Sequence, residues 1–142
     1  MTVHFWPSLR GVHVFAVDDN DDSRRLLTQA LEYCGALVSA FPSAEAAMTA
    51  MNECVPTLIV SDIAMPEVSG LDFIRRLRAR APDKGGRIPA IAVTAYYEEF
   101  AAGAARAAGF EGFLTKPLDF GTLCMVVGDV VALTRYRDEP AA

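Results

Sequence analysis

The chain is short of the residues that mark several common protein classes. Histidine occurs only twice, at His4 and His13, too few for a histidine-built metal site. Cysteine occurs three times (Cys34, Cys54, Cys124), an odd number, widely spaced and without a Cys-x-x-Cys pair. That argues against a disulfide framework or a zinc site and fits a reducing cytoplasm. Basic charge is in deficit, with 13 Lys and Arg against 18 Asp and Glu and a formal net charge of −5. Binding to nucleic acid through phosphate contacts is therefore not expected. Long apolar runs are also missing. Outside the strand candidates the longest is Leu123–Val127, flanked by Asp119 and Asp129, so no membrane insertion is expected. The first eleven residues, MTVHFWPSLRG, lack the charged start and continuous apolar core of a signal peptide. No internal repeat is present, and only Ala101–Ala108 is compositionally biased.

What is present suits one globular core: 142 residues, 52% hydrophobic and 22% charged. Apolar, β-branched runs alternate with segments of helical period. The strand candidates are Val12–Val17, Ala36–Phe41, Thr57–Ser61, Ile88–Thr94 and Phe110–Thr115. Each is short and apolar on both faces, as in a parallel sheet covered by helices. Asn20-Asp21-Asp22-Ser23 offers caps for a first helix with Leu27, Ala30, Leu31 and Cys34 on one face, and Gly35 is placed to end it. Ser43 is placed to cap a second helix and Ser69-Gly70 to open a third. A fourth runs from about Glu98 to Ala108, where Gly103 costs roughly 1 kcal/mol relative to Ala. A fifth starts near Asp119 and continues to about Thr134. Five β–α units predict a doubly wound three-layer α/β domain over 11–134, with 1–10 as an N-terminal extension or linker and 135–142 as a short tail.

In such folds ligands bind outside the carboxyl ends of the strands. The first strand, in VFAVDDN (14–20), ends in Asp18 and Asp19, and the third, in LIVSDIAMP (58–66), ends in Asp62. The fourth ends in Thr94 and the fifth is followed by Lys116. Taken singly these residues read as a turn cap, a strand hydroxyl and a solvated charge. Together they form a set of three acids, a hydroxyl and a cation at one sheet edge. Two like charges about 4 Å apart repel by roughly 4 kcal/mol at an effective dielectric of about 20. A hard divalent cation removes that cost, and an all-oxygen set with room for water suits Mg²⁺. A carboxylate beside such a cation can attack phosphorus and form an aspartyl phosphate, with a lysine and a hydroxyl to hold the phosphoryl oxygens.

These stretches, with VTAY (93–96) and FLTKP (113–117) in the same order, resemble the receiver domain of the two-component response-regulator family, over roughly residues 11–134. The resemblance implies a flavodoxin-like (βα)5 fold with a parallel five-stranded sheet in the order 2-1-3-4-5. It implies that Asp62 is the phosphoacceptor, taking its phosphoryl group from a phosphohistidine of a sensor histidine kinase or histidine phosphotransfer protein. Mg²⁺ would be held by Asp18, Asp19, Asp62 and the backbone carbonyl of Ala64, with Asp18 acting largely through water. Thr94 would be the switch hydroxyl, Lys116 the phosphoryl-binding lysine and Phe113 the switch aromatic. The location implied is cytoplasmic, and the chain would be no enzyme beyond its own phosphorylation and dephosphorylation.

Some positions stand apart. Ala64 and Tyr96, two residues after Asp62 and Thr94, occupy places that influence phosphoryl lifetime in this family, and they predict slow autodephosphorylation. Arg75, Arg76, Arg78 and Arg80 read as the solvated end of a helix, where cations complement the dipole, in preference to a docking patch. The apolar positions of the fifth helix (Leu123–Val127, Val130, Val131, Leu133) exceed one stripe and leave a patch for a partner or a second copy through the fourth and fifth helices. Pro7–Gly11 and residues 83–96 resemble receivers attached to sensor kinases, and the eight residues after the last helix are too few for a DNA-binding domain. Three rivals fit less well. A haloacid-dehalogenase-type phosphatase needs an acid where Ala64 stands. A flavin module would meet repulsion from the acids at 18–22, and a phosphorylation-independent pseudo-receiver has no need of the acidic set.

Overall fold

The computed structural model describes residues 8–63, 69–95 and 101–138. Strands and helices alternate along the chain: β1 (His13–Val17), α1 (Asp21–Tyr33), β2 (Leu37–Phe41), α2 (Ala44–Met51), β3 (Leu58–Asp62), α3 (Gly70–Arg78), β4 (Ala90–Thr94), α4 (Ala101–Ala108), β5 (Gly112–Thr115) and α5 (Phe120–Asp138). A 3-10 turn at Pro82–Lys84 lies between α3 and β4. All pairings are parallel and the sheet order is β2-β1-β3-β4-β5, the expected flavodoxin-like winding.

The alternation of side chains along each strand divides the core in two. Val14 and Ala16 of β1 join a cluster with Leu27 and Leu31 of α1 and Leu123 and Val127 of α5. Phe15 and Val17 join the other, with Ala47 of α2, Phe73 and Leu77 of α3 and Ala105 of α4. Each fully buried Leu, Ile, Val or Phe contributes about 1.5–3 kcal/mol, so the sheet is held from both sides. The central strands β3 and β4 are buried throughout. The edge strands correct the expectation of apolar burial on both faces: β2 and β5 are only partly covered, and Leu37 is 68% exposed.

The caps form where the sequence places them. Asn20 accepts from the Ser23 N–H, Ser43 from Ala46 and Ser69 from Asp72. Asp119 accepts from both the backbone N–H and the hydroxyl of Thr122, which holds its carboxyl below the usual carboxylate range. The left-handed Gly35 follows α1, and its N–H donates to the Glu32 carbonyl.

Element ends differ from expectation for local reasons. The Phe110 N–H is taken by the Ala105 carbonyl as α4 closes, so β5 starts at Gly112. β3 continues one residue further and ends on Asp62 itself. α5 runs past Thr134 to Asp138. The expected start of the fourth helix, Glu98, lies outside the described residues.

Two expectations need correction. Much of the apolar excess of α5 is core: Leu123, Cys124, Val127, Val130 and Val131 are buried, leaving Met125 and Leu133 as exposed large apolar side chains among the described residues of the helix. The cysteine count argued against disulfides, yet the fold brings Cys34 of α1 and Cys124 of α5 together, with Cα atoms 6.1 Å apart, a separation a disulfide can span. Spacing in sequence conceals this contact because 90 residues separate the two. Cys54 is the free, exposed cysteine.

The arginine cluster is structural where it is not solvated. Arg78 donates to the carbonyls of Gly86, Ile88 and Gly109 and pairs with Glu111, whose carboxylate also accepts the Ala90 N–H. Burial lowers the Arg78 pKa, against the opposing pull of Glu111. Arg75 pairs with Asp72 at the surface.

Candidate functional site

The parallel register fixes which residues meet at the carboxyl edge of the sheet. Val17 lies opposite Ser61, Asp62 opposite Val93 and Thr94 opposite Thr115. The residues next in sequence, Asp18 after β1 and Lys116 after β5, therefore emerge at the same edge as Asp62 and Thr94. Asp18, Asp19 and Asp62 each offer a carboxylate oxygen, and the three oxygens lie within 4.8 Å of one another. Asp18 and Asp62 are buried, Asp19 is exposed and Thr94 is fully buried.

A buried carboxylate must be paired or hydrogen-bonded. Asp18 is both: one oxygen accepts the Asn20 N–H at 2.9 Å, the other the Lys116 ammonium at 2.8 Å. Lys116 also reaches Asp62 at 3.4 Å, and its backbone N–H donates to the Thr94 carbonyl at 2.8 Å. Burial pushes the Lys116 pKa down, but the hydrogen bond and charge of Asp18, with the charge of Asp62, outweigh it and leave the pKa raised. Three carboxylates against one ammonium leave two negative charges in the cleft. That surplus and the all-oxygen donors match a divalent hard cation.

Phe113 on β5 is half-buried, packed against the cluster that holds Phe15 and Phe73. Ala64, the expected backbone ligand and first lifetime position, and Tyr96, the second, both lie outside the described residues.

Two contributors escape sequence reasoning. Arg24 of α1 donates to the Asp18 backbone carbonyl at 2.8 Å and pairs with Asp21 at 2.6 Å, which ties the loop carrying the acids to the first helix. The signal available was an acid and an arginine three residues apart just inside a cap. Gly70 opens α3 against the end of β3. Its N–H donates to the Ile63 carbonyl, and a Cβ there would lie 2.5 Å from the Ile63 Cα and 2.6 Å from the Asp62 carbonyl oxygen. A close approach of backbone to backbone leaves no trace in local sequence except the glycine itself.

Residues 14–128 match the family described as response regulator receiver domain. The chain belongs to that family. A protein of Leptolyngbya boryana, described as an uncharacterized 14.6 kDa protein in the sodA1 3' region, is 43% identical over 112 residues, covering 79% of this chain and 84% of that protein. The DNA-binding transcriptional regulator NtrC of Proteus hauseri is 32% identical over 128 residues, which cover 89% of this chain but 26% of that longer protein. Among solved structures, the receiver domain of a sensor histidine kinase of Pseudomonas aeruginosa, described with a magnesium ion coordinated in its active site cleft, superposes with a TM-score of 0.77 at 23% identity. The match covers 86% of this chain and 98% of that one. The receiver is thus a module of two-component signalling, and its acidic cleft has the donor set for Mg²⁺ and an aspartyl phosphate. No helix among the described residues is long and apolar enough to cross a membrane.

Proposed function

We propose that this receiver accepts a phosphoryl group on Asp62 from a phosphohistidine of a sensor histidine kinase or histidine phosphotransfer protein, and that the acyl phosphate changes its conformation. The observation that carries the reading is the Lys116 ammonium lying between Asp18 and Asp62 at the sheet edge, with Asp19 completing an acidic cluster. In the transfer a carboxylate oxygen of Asp62 attacks phosphorus, the P–N bond breaks, and the imidazole leaves and takes up a proton. Asp18, Asp19, Asp62 and the Ala64 carbonyl would hold Mg²⁺, which supplies charge neutralisation for the incoming phosphoryl group.

Before transfer, Lys116 neutralises part of the acidic charge; afterwards it pairs with a phosphoryl oxygen. Thr94 hydrogen-bonds another and carries the signal into β4, and Phe113 follows it inward. The added charge, about −1.5 to −2, biases a two-state arrangement of α4 and β5. Ala64 and Tyr96 make loss of the phosphoryl group slow. Among the described side chains of α5, Met125 and Leu133 are exposed, large and apolar, and available for a second copy. The module works in the cytoplasm, facing soluble donors.

The test is intact mass after incubation with Mg²⁺ and a small phosphodonor. Wild type gains one phosphoryl group and Asp62→Ala gains none. Equal gain in both, or none in either, contradicts the reading.

A further inference from the structure

We propose that Cys34 and Cys124 form a redox-reversible staple between α1 and α5, closed by exchange with a small disulfide and opened by a small thiol. The Cα separation of 6.1 Å is within the range a disulfide spans without backbone movement. Both side chains are buried in the cluster shared by the two helices, Cys34 at 8% exposure and Cys124 at 0%. A buried thiol packs as a small hydrophobe, so the same cluster of Leu31, Leu123 and Val127 also accommodates the open pair. One core therefore serves both redox states.

The position of the pair gives the staple consequences. Cys34 caps the end of α1 beside the exposed Gly35 and is the less buried of the two, which makes its sulfur the first point of attack, while Cys124 lies within the second turn of α5. The Cys34 carbonyl accepts the N–H of Leu9, itself buried in the same cluster, so the bond also anchors the point where the chain enters the domain. The loop it closes contains Asp62, Thr94 and Lys116. The helices it joins follow, respectively, the acids after β1 and the lysine after β5, the two segments already linked by the Asp18–Lys116 ion pair. Closing so long a loop restricts the unfolded chain, and the oxidised form is the more stable.

The exchange takes two steps. The Cys34 thiolate attacks one sulfur of a glutathione-type disulfide, forming a mixed disulfide and expelling one thiolate. The Cys124 thiolate then attacks the Cys34 sulfur and expels the second. The protein loses two thiol protons and two electrons, and the small disulfide is reduced to two thiols.

The experiment uses the full chain carrying Cys54→Ser, which removes the exposed thiol, equilibrated in oxidised or reduced glutathione, quenched, unfolded and alkylated. Intact mass is expected to show no alkylated thiol after oxidation and two after reduction. The oxidised protein is expected to melt several degrees higher than the reduced one, and Cys34→Ala/Cys124→Ala to melt identically in both buffers. Should that double variant not fold, a non-reducing peptide map of wild type decides the pairing, with a cross-link between the Cys34 and Cys124 peptides expected. Two alkylated thiols under oxidised glutathione, absence of that cross-link, or equal melting of the single-variant protein in both buffers would overturn the staple. None of these readouts involves phosphoryl transfer, so the outcome is separate from that of the Asp62 experiment.

Discussion

At the scale of single residues the cleft is governed by Lys116. Its ammonium is a counter-charge shared by two buried carboxylates, and removing it takes that charge from both. Without a divalent cation, Lys116→Met is expected to lose about 1–3 kcal/mol of stability, the usual cost of leaving a buried polar partner unsatisfied. Added Mg²⁺ is expected to recover part of that loss by replacing the missing charge. The pH dependence has a definite sign. Folding raises the Lys116 pKa, so its stabilisation is complete below the ordinary lysine value of 10.5 and disappears as pH rises through the higher folded value. Urea titrations across that range should show wild type and Lys116→Met converging on the alkaline side, and equal stability at neutral pH would count against the ion pair. All five residues at this edge, Asp18, Asp19, Asp62, Thr94 and Lys116, were legible in the sequence, because each follows or ends an apolar run and the winding rule places such ends together. Arg24 was not, since its partner is a backbone carbonyl whose direction only the folded loop defines.

At the scale of elements, two glycines with opposite roles make the packing testable. Gly70 sits against the backbone of Asp62 and Ile63. Gly70→Ala is expected to push α3 off the end of β3 and to cost about 1–3 kcal/mol, as overpacking does, read by chemical denaturation. Gly103 is exposed in α4, and an added Cβ would meet no atom within 4 Å. Gly103→Ala is therefore expected to stabilise the domain by about 0.5–1 kcal/mol through backbone entropy alone; a loss of stability would show that α4 is not helical at that position. Helix starts were readable from Asn20, Ser43, Ser69 and Asp119, which carry their own hydrogen-bonding chemistry. Strand starts were less so. Whether Phe110 begins β5 or closes α4 depends on which carbonyl takes its N–H, and apolar character is the same either way.

At the scale of the whole molecule, the proposed phosphoryl site and the proposed switch segments meet at the ends of β4 and β5. Thr94 is buried at the end of β4, its carbonyl bonded to the Lys116 N–H. Thr94→Ala is expected to accept a phosphoryl group yet lose the phosphorylation-dependent change in amide exchange over α4 and β5. An unchanged exchange response would remove Thr94 from the switch. The topology was legible because alternating strand and helix periods admit few windings. The α1–α5 cysteine contact was not, since it joins elements 90 residues apart through side chains that read as ordinary core.

The most direct measurement locates the phosphoryl group itself. Receiver treated with Mg²⁺ and a small phosphodonor is reduced with borohydride, which converts an acyl-phosphorylated aspartate to homoserine, and is then digested and sequenced by mass spectrometry. Homoserine at position 62 alone is the predicted result; homoserine at 18 or 19, or none in protein that has gained a phosphoryl group, would contradict the account.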